Sequence, residues 1–553
     1  MIRALSMTLA LTGWLAATEP QAAPPDMADL ILLNGIVHTM DPARPHASAV
    51  AVREGRILLA GNDAEALLHR GASTRVVDLA GRTVVPGLTD AHGHVLGLGL
   101  AAMRLDLKGT RSAEDIAAMV KQRAATTDPF RWIRGRGWDQ NDWALKEFPG
   151  RALLDAAAPD HAVVLDRVDG HAIWVNSRAL RLAGVTKDTP DPPGGRIVRD
   201  AAGEPTGVLV DAAENLVTAK EPPATRAETR EALELGMRRC LAAGLTEVHD
   251  AGVSPDVLEL YDELLVKGDF PFRVYAMLDP KAAQQATGPV VAPPGGRLTA
   301  RAIKLYADGA LGSRGAALLA PYADDSGNVG LPQGSEQELR SLVAEAAGKG
   351  LQVNVHAIGD RGNRMVLDAF AEALPAGGGG KRFRVEHAQV LHPDDIPRFT
   401  KLGVIASMQP THATSDMPWA EARLGPERVK GAYAWRSLLD AGARLACGSD
   451  FPVESENPML GLYAAVTRQD LEGQPQGGWL PSQRLGREEA LRCFTLDAAY
   501  AAFEEDTRGT ISAGKLADLT VLSKDPMTVD AAAIPSIVAE MTIVGGRVAY
   551  ERK

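Results

Sequence analysis

The stretch GLTDAHGHVLGLG, residues 87–99, places two histidines one residue apart, directly after the apolar run RTVVP. His92 and His94 alternate with glycine, and Asp90 lies just upstream. On a strand, residues i and i+2 face the same way. The two imidazoles therefore point to one side and can hold one ion together.

Seven further short β-type runs follow this one. Together the eight are RTVVPGLTDAH, GLTEVHDAG, FPFRVYAML, RAIKLYADG, LQVNVHAIGD, RFRVEHAQ, GVIASMQP and RLACGSD. Helical segments such as SEQELRSLVAEAAGKG and GNRMVLDAFAEALP separate several of them. Eight strands with helical crossovers predict a parallel (β/α)8 barrel of the TIM type. Residues from about 100 to 240 break the alternation and carry strand signals of their own: RWIRGRGWD, AVVLDRVDGHAIWVNS and the hairpin GGRIVRDAAGEPTGVLVD. Setting them aside leaves a length that suits a barrel of roughly 250 residues. They read as an inserted α/β subdomain after strand 1. PAGGGGK, residues 375–381, reads as a flexible loop.

Outside the barrel, both chain ends are β-rich. DLILLNGIVHTM and SAVAVREGRILLAG near the start, and GTISAGKLADLTVLSKDP and IVAEMTIVGGRVAYERK near the finish, are β-branched runs cut by Gly and Asn-Gly turn signals. The expected fold class is α/β: a barrel over residues 85–504 and a small β-sandwich built from residues 28–84 and 505–553. The first 23 residues have the layout of a secretory signal peptide, with Arg3, an apolar stretch over about 4–17, then small residues up to Ala23. That stretch is shorter than the roughly 20 residues of a membrane helix, and no cysteine follows it to carry a lipid. The expected location is periplasmic or secreted, or cytoplasmic if the N-terminus is retained, with no integral membrane segment in the mature chain.

Bulk numbers narrow the class. The 553 residues exceed one ordinary core. The net charge of −11 argues against a nucleic-acid partner. Cys240, Cys447 and Cys493 are odd in number and lack CxxC spacing, which argues against a disulfide scaffold.

The strand ends carry the chemistry. His92 and His94 end strand 1, Lys304 lies in strand 4, His356 ends strand 5, His387 strand 6 and Asp450 strand 8. In a barrel these ends converge on one rim, and imidazole with carboxylate suits zinc and similar divalent ions. A lysine among them is useful once desolvation frees its amine. The free amine can add carbon dioxide to become a carbamate able to bridge two ions.

In order along the chain, VVPGLTDAHGH, IKLYADGALGSRGAAL, VNVHAIGDRGN, RVEHAQ, CGSDFPVE and GTISAGKLADLTVL with VGGRVAY resemble the metal-dependent amidohydrolase superfamily and, within it, the YtcJ-like branch, amidohydrolase family 3. The resemblance implies that His92, His94, Lys304, His356, His387 and Asp450 form the metal site, with one or two ions. It further implies hydrolysis of a C–N amide-type bond in a small organic substrate, with Asp450 shuttling the proton. It makes the insertion a wall of the pocket, so that Trp138 and His171 become substrate contacts. His171 or His249 is then the candidate to stabilise the oxyanion. Asp308 and Arg314, which follow Lys304, are further substrate-binding candidates, though a structural salt bridge serves Arg314 equally well. His392 and His412 lie within reach of the rim and are left unassigned. An ester or lactone hydrolase, or a hydratase, fits the same ligand set. A non-catalytic periplasmic binding protein would have lost a ligand, and none is lost. Oligomeric state stays open, homo-oligomers included.

Overall fold

The computed structural model describes residues 27–129, 131–168, 171–293, 295–375 and 379–553. The leader-like segment 1–23 and the centre of the 375–381 loop fall outside them.

All eight expected strands form one parallel sheet: β1 (Leu88–Gly93), β2 (Leu245–Val253), β3 (Arg273–Leu278), β4 (Leu298–Tyr306), β5 (Gln352–Ala357), β6 (Arg384–His387), β7 (Ile405–Met408) and β8 (Arg444–Cys447). They are hydrogen-bonded in sequence order, each to the next, from β1 through β8. The sheet curls until its first and last strands meet. There the closing bonds come from just beyond β8: Asp450 N–H donates to the His92 carbonyl at 2.7 Å, and Ser449 donates its N–H and hydroxyl to the Asp90 carboxylate. Asp90 thus closes the barrel. Gly448 has no room for a side chain, since a Cβ would lie 2.5 Å from the His92 nitrogen.

The run RTVVPGLTDAH is not one strand. Thr83–Pro86 belongs to a six-stranded sheet with Leu519–Leu522 and Ala539–Val544 from the other chain end. β1 begins after Gly87, where a Cβ would sit 2.4 Å from the Thr246 hydroxyl and 2.9 Å from Asp518. A second sheet of four strands, Ala28–Leu33, Ala49–Arg53, Arg56–Gly61 and Arg70–Asp78, packs on the first. Alternate residues of both sheets, among them Leu30, Leu32, Val50, Val84, Val521 and Ile543, fill a shared apolar core.

The insertion has its own six-stranded mixed sheet with an apolar cluster on each face. The chain returns to the barrel through the helix Arg226–Ala242. This helix lies backbone to backbone on Val95–Met103: a Cβ on Gly99 would overlap the Ala232 carbonyl, and one on Gly236 would come within 2.4 Å of that of Val95. One disulfide, Cys447–Cys493, joins the end of β8 to the helix Arg487–Cys493, while Cys240 is a buried free thiol. Its partners are 46 residues apart, a spacing that carries no signal in the sequence.

Candidate metal centre

At the C-terminal rim of the barrel, four histidines and Asp450 form one cluster. His94 Nε2 lies 3.0 Å and His92 Nε2 3.6 Å from Asp450 Oδ1. His412 Nε2 lies 3.8 Å from the other oxygen, Oδ2. The His387 ring is 4.9 Å from that of His92 and stacks, 11° from parallel, on that of His412. Two sets of potential ligands share the carboxylate: His92, His94 and Asp450, and His387, His412 and Asp450.

The outer nitrogens of three rings are tied off. His92 Nδ1 pairs with Glu386 at 2.5 Å, His94 Nδ1 with the Ala251 carbonyl at 2.9 Å, and His387 Nδ1 with Gln409 Oε1 at 2.8 Å. Each of these partners accepts a hydrogen, so each Nδ1 donates one and each Nε2 lone pair faces inward. The His94 lone pair and Asp450 Oδ1, 3.0 Å apart, are then two acceptors face to face. Only a cation or a proton between them makes that contact favourable. Carboxylate or carbonyl partners behind imidazoles are how proteins orient metal-binding histidines, so these residues fit a divalent ion.

Electrostatics agree. Burial drives the His92 and His387 imidazoles well below their ordinary range, with Lys304 and His356 respectively adding to the effect. Against burial, the neighbouring histidines hold the Asp450 carboxyl well below its usual range, with His94 the strongest contributor. His92 and His387 therefore stand as neutral imidazoles beside a carboxylate, while the contact with Asp450 raises the His94 imidazole against its burial, so that a proton or a cation is held between the two. Two of them have left-handed backbones, His387 at φ 72° and Asp450 at φ 61°. Such conformations in non-glycine residues cost about 1–3 kcal/mol and cluster at functional sites.

Lys304 is fully buried, its Nζ 3.4 Å from His92 Nε2 and 4.4 Å from the centre of the Tyr306 ring, and burial lowers its pKa. His356 sits beside the cluster, its ring 4.5 Å from His387 and its Nε2 3.6 Å from Asp308 Oδ1. It belongs to neither set of converging atoms.

Five expected roles do not fit where the side chains lie. Trp138 is fully buried in the core of the insertion, stacked on Trp143, with Nε1 donating to the Leu165 carbonyl. It is a packing residue, not a substrate contact. His171 is exposed and pairs with Asp211 at 2.8 Å, so it is not drawn into the buried cluster. His249 points down inside the barrel, where its Nδ1 accepts from Arg384 at 2.9 Å, too deep to meet an oxyanion at the rim. Asp308 is spent on the backbone, accepting from the N–H groups of Ile358, Gly359 and Ala317. Arg314 pairs bidentately with Asp324. In exchange the structure adds Glu386 and Gln409 as orienting groups, Tyr306 as an aromatic wall 40% exposed at the mouth, and His412. Glu386 stood within the quoted RVEHAQ, one residue before a ligand. Nothing local distinguishes His412, which opens the helix Pro410–Arg428.

The comparisons with known proteins agree with this geometry. The model of the amidohydrolase family matches residues 75–550. YtcJ of Bacillus subtilis is 35% identical, over 94% of this chain and 99% of its own length. The N-substituted formamide deformylase of Arthrobacter pascens is 30% identical, over 95% and 99%. A metal-dependent hydrolase from Pyrococcus furiosus superposes with a TM-score of 0.75 at 29% identity, covering 90% of this chain and all of its own.

Proposed function

The chain belongs to the amidohydrolase family and is a hydrolase, and from that premise we propose that it cleaves the C–N bond of a small non-peptide amide at the rim cluster. The observation that carries this is the set of inward-facing Nε2 atoms around Asp450, each ring anchored from behind. His92, His94 and Asp450 would hold a first ion. His387, with His356 and Lys304 beside it, would hold a second if one binds, and the imidazole-rich set favours zinc. A bound divalent ion supplies water activation at neutral pH and polarisation of the carbonyl.

The chain's own residues do the rest. Asp450, held ionised by its histidines, takes the proton of the attacking water as the C–O bond forms. When the C–N bond breaks, its electron pair passes to nitrogen, and Asp450 returns the proton there. Glu386, the Ala251 carbonyl and Gln409 hold the three rings in register. Lys304, with its amine freed by burial, adds carbon dioxide and loses a proton to become a carbamate.

The formamide deformylase among the relatives supports an N-substituted formamide as the first substrate to try. The Cys447–Cys493 disulfide supports export, since such bonds persist in oxidising compartments. Among the described residues no helix is long and apolar enough to cross a membrane. The test is elemental analysis of purified protein beside a screen of N-substituted formamides, N-acyl compounds and cyclic amides. One or two ions per chain and chelator-sensitive turnover are expected. A metal-free protein with full turnover would refute the reading.

A further inference from the structure

One histidine of the cluster has no assigned task. His412 Nε2 is buried and without a hydrogen-bond partner, and it faces Asp450 Oδ2 across 3.8 Å. That gap is too long for a direct hydrogen bond and suits one intervening atom that bonds to both. The other carboxylate oxygen is already committed to His92 and His94, so Oδ2 and His412 together face a separate position. His412 also comes from a different part of the fold. The ligands stand at strand ends, whereas His412 opens the helix Pro410–Arg428 beyond β7. Its ring is fixed by stacking on His387.

With its proton on Nδ1, the His412 imidazole presents a lone pair at Nε2. Asp450 is ionised before reaction and presents another. Two acceptors facing one position recognise a cation or an atom that carries hydrogen. His412 is one of the potential ligands, but with both ions assigned to the strand-end residues the hydrogen-bearing atom is the one left to it. Of the bonds this cluster could hydrolyse, only an amide with an N–H places such an atom at the leaving position. An ester or lactone oxygen has no hydrogen to give, and an N,N-disubstituted amide has lost its own.

We propose that His412 is a catalytic residue that accepts the leaving nitrogen's N–H and so restricts this hydrolase to primary and secondary amides. The contact turns the nitrogen so that its developing lone pair faces Asp450. The balance is unchanged: the C–N electron pair goes to nitrogen, and the proton Asp450 took from water follows it. The inference rests on the amide-hydrolase reading above and removes its ester and lactone alternatives.

The decisive variant is His412→Phe, which keeps the ring on His387 and deletes the acceptor. Ion content is measured first, in wild type and variant, and is expected to be equal. Equilibrium binding to the metal-loaded proteins then uses acetohydroxamate and its N-methyl analogue, a pair differing by one N–H. Wild type should prefer the N–H compound by about tenfold, and the variant should bind both within about twofold. Turnover of a secondary formamide should fall about a hundredfold in the variant, while the matched formate ester, slow in wild type, stays within threefold. Loss of an ion in the variant would make His412 a ligand and overturn the proposal. So would an unchanged N–H preference, or a wild type that cleaves ester and amide equally. A wild type with neither ion nor metal-dependent turnover would instead refute the amidohydrolase reading itself.

Discussion

The two ends of the barrel interior are built from the same kinds of residue and put to opposite use. At the floor, Arg273 makes a bidentate pair with Asp518 at 2.6 and 3.0 Å and donates to the Gly295 and Gly296 carbonyls. Arg384 donates to His249 and to the Ala501 carbonyl, and Arg508 pairs with Glu247 and Glu504. Charge there meets opposite charge and bolts the barrel to the C-terminal segment. At the mouth, His412 Nε2 and His356 Nε2 have no hydrogen-bond partner, and the same is true of His249 Nε2 and Arg384 Nε at the floor, but only at the mouth do acceptors face acceptors around Asp450. The floor is buried more deeply than the mouth, with Arg384 and His249 fully covered and His94 about a third exposed, so depth of burial does not mark a site. The mark is polar groups held in place from behind and left open in front.

That contrast is easiest to break at the mouth. Asp450→Asn should cut turnover by about three to four orders of magnitude, since an amide cannot carry the shuttled proton, while leaving fold and thermal stability close to wild type. Steady-state kinetics beside circular dichroism checks it. Turnover within tenfold of wild type would remove Asp450 from the proton path.

The floor should answer in the other currency. Arg273→Met removes the bidentate partner of the buried Asp518 and leaves it only the Gly545 N–H and the charge of Arg508, at a cost of about 3 kcal/mol. Denaturant unfolding should show that loss, and the fraction that remains folded should hold as much metal per chain as wild type. Metal loss from folded protein would mean that the floor reaches the mouth after all.

Trp138→Ala sharpens the same division in the insertion. Here a fully buried ring is removed from a core of Trp143, Trp174 and Leu165, at about 3–4 kcal/mol. KM on the best substrate should stay within twofold. A KM change without a stability change would return Trp138 to the pocket wall.

What the sequence made legible follows from how each feature is encoded. The strands are local patterns, β-branched runs between glycines, and all eight appear in the barrel. Family membership follows from ordered motifs such as DAHGH and RVEHAQ. His92, His94 and Asp450 could be placed because strand ends in a barrel share one rim. His249 misled because it precedes the end of β2 by four residues and faces the barrel axis at a deeper layer, which depends on register. Trp138 misled because a tryptophan beside glycines reads alike in a pocket and in a core, and only the second sheet face distinguishes them. His412 was passed over because its helix folds over the rim through long-range packing that no local pattern records. The Cys447–Cys493 bond was hidden for the same reason.

The smallest effect separates mouth from floor by its dependence on pH. Burial, aided by Lys304, pushes the His356 imidazole down to about 4. In the unfolded chain it titrates near 6.5. Between those values the unfolded state binds the proton and the folded state does not, so the unfolded state gains as pH falls. The contribution is fully present above 6.5 and is lost as pH drops through about 4, an amount of about 3 kcal/mol. Measured on chelator-treated protein, the stability of wild type relative to His356→Gln should therefore decline by that amount between pH 7 and pH 4. The relative stability of wild type and Arg273→Lys, which alters no group with an ordinary pKa in this range, should stay nearly flat. A flat His356 difference would mean that water reaches the ring and lets it titrate freely, and the mouth would then lack the dry enclosure on which its ligand form depends.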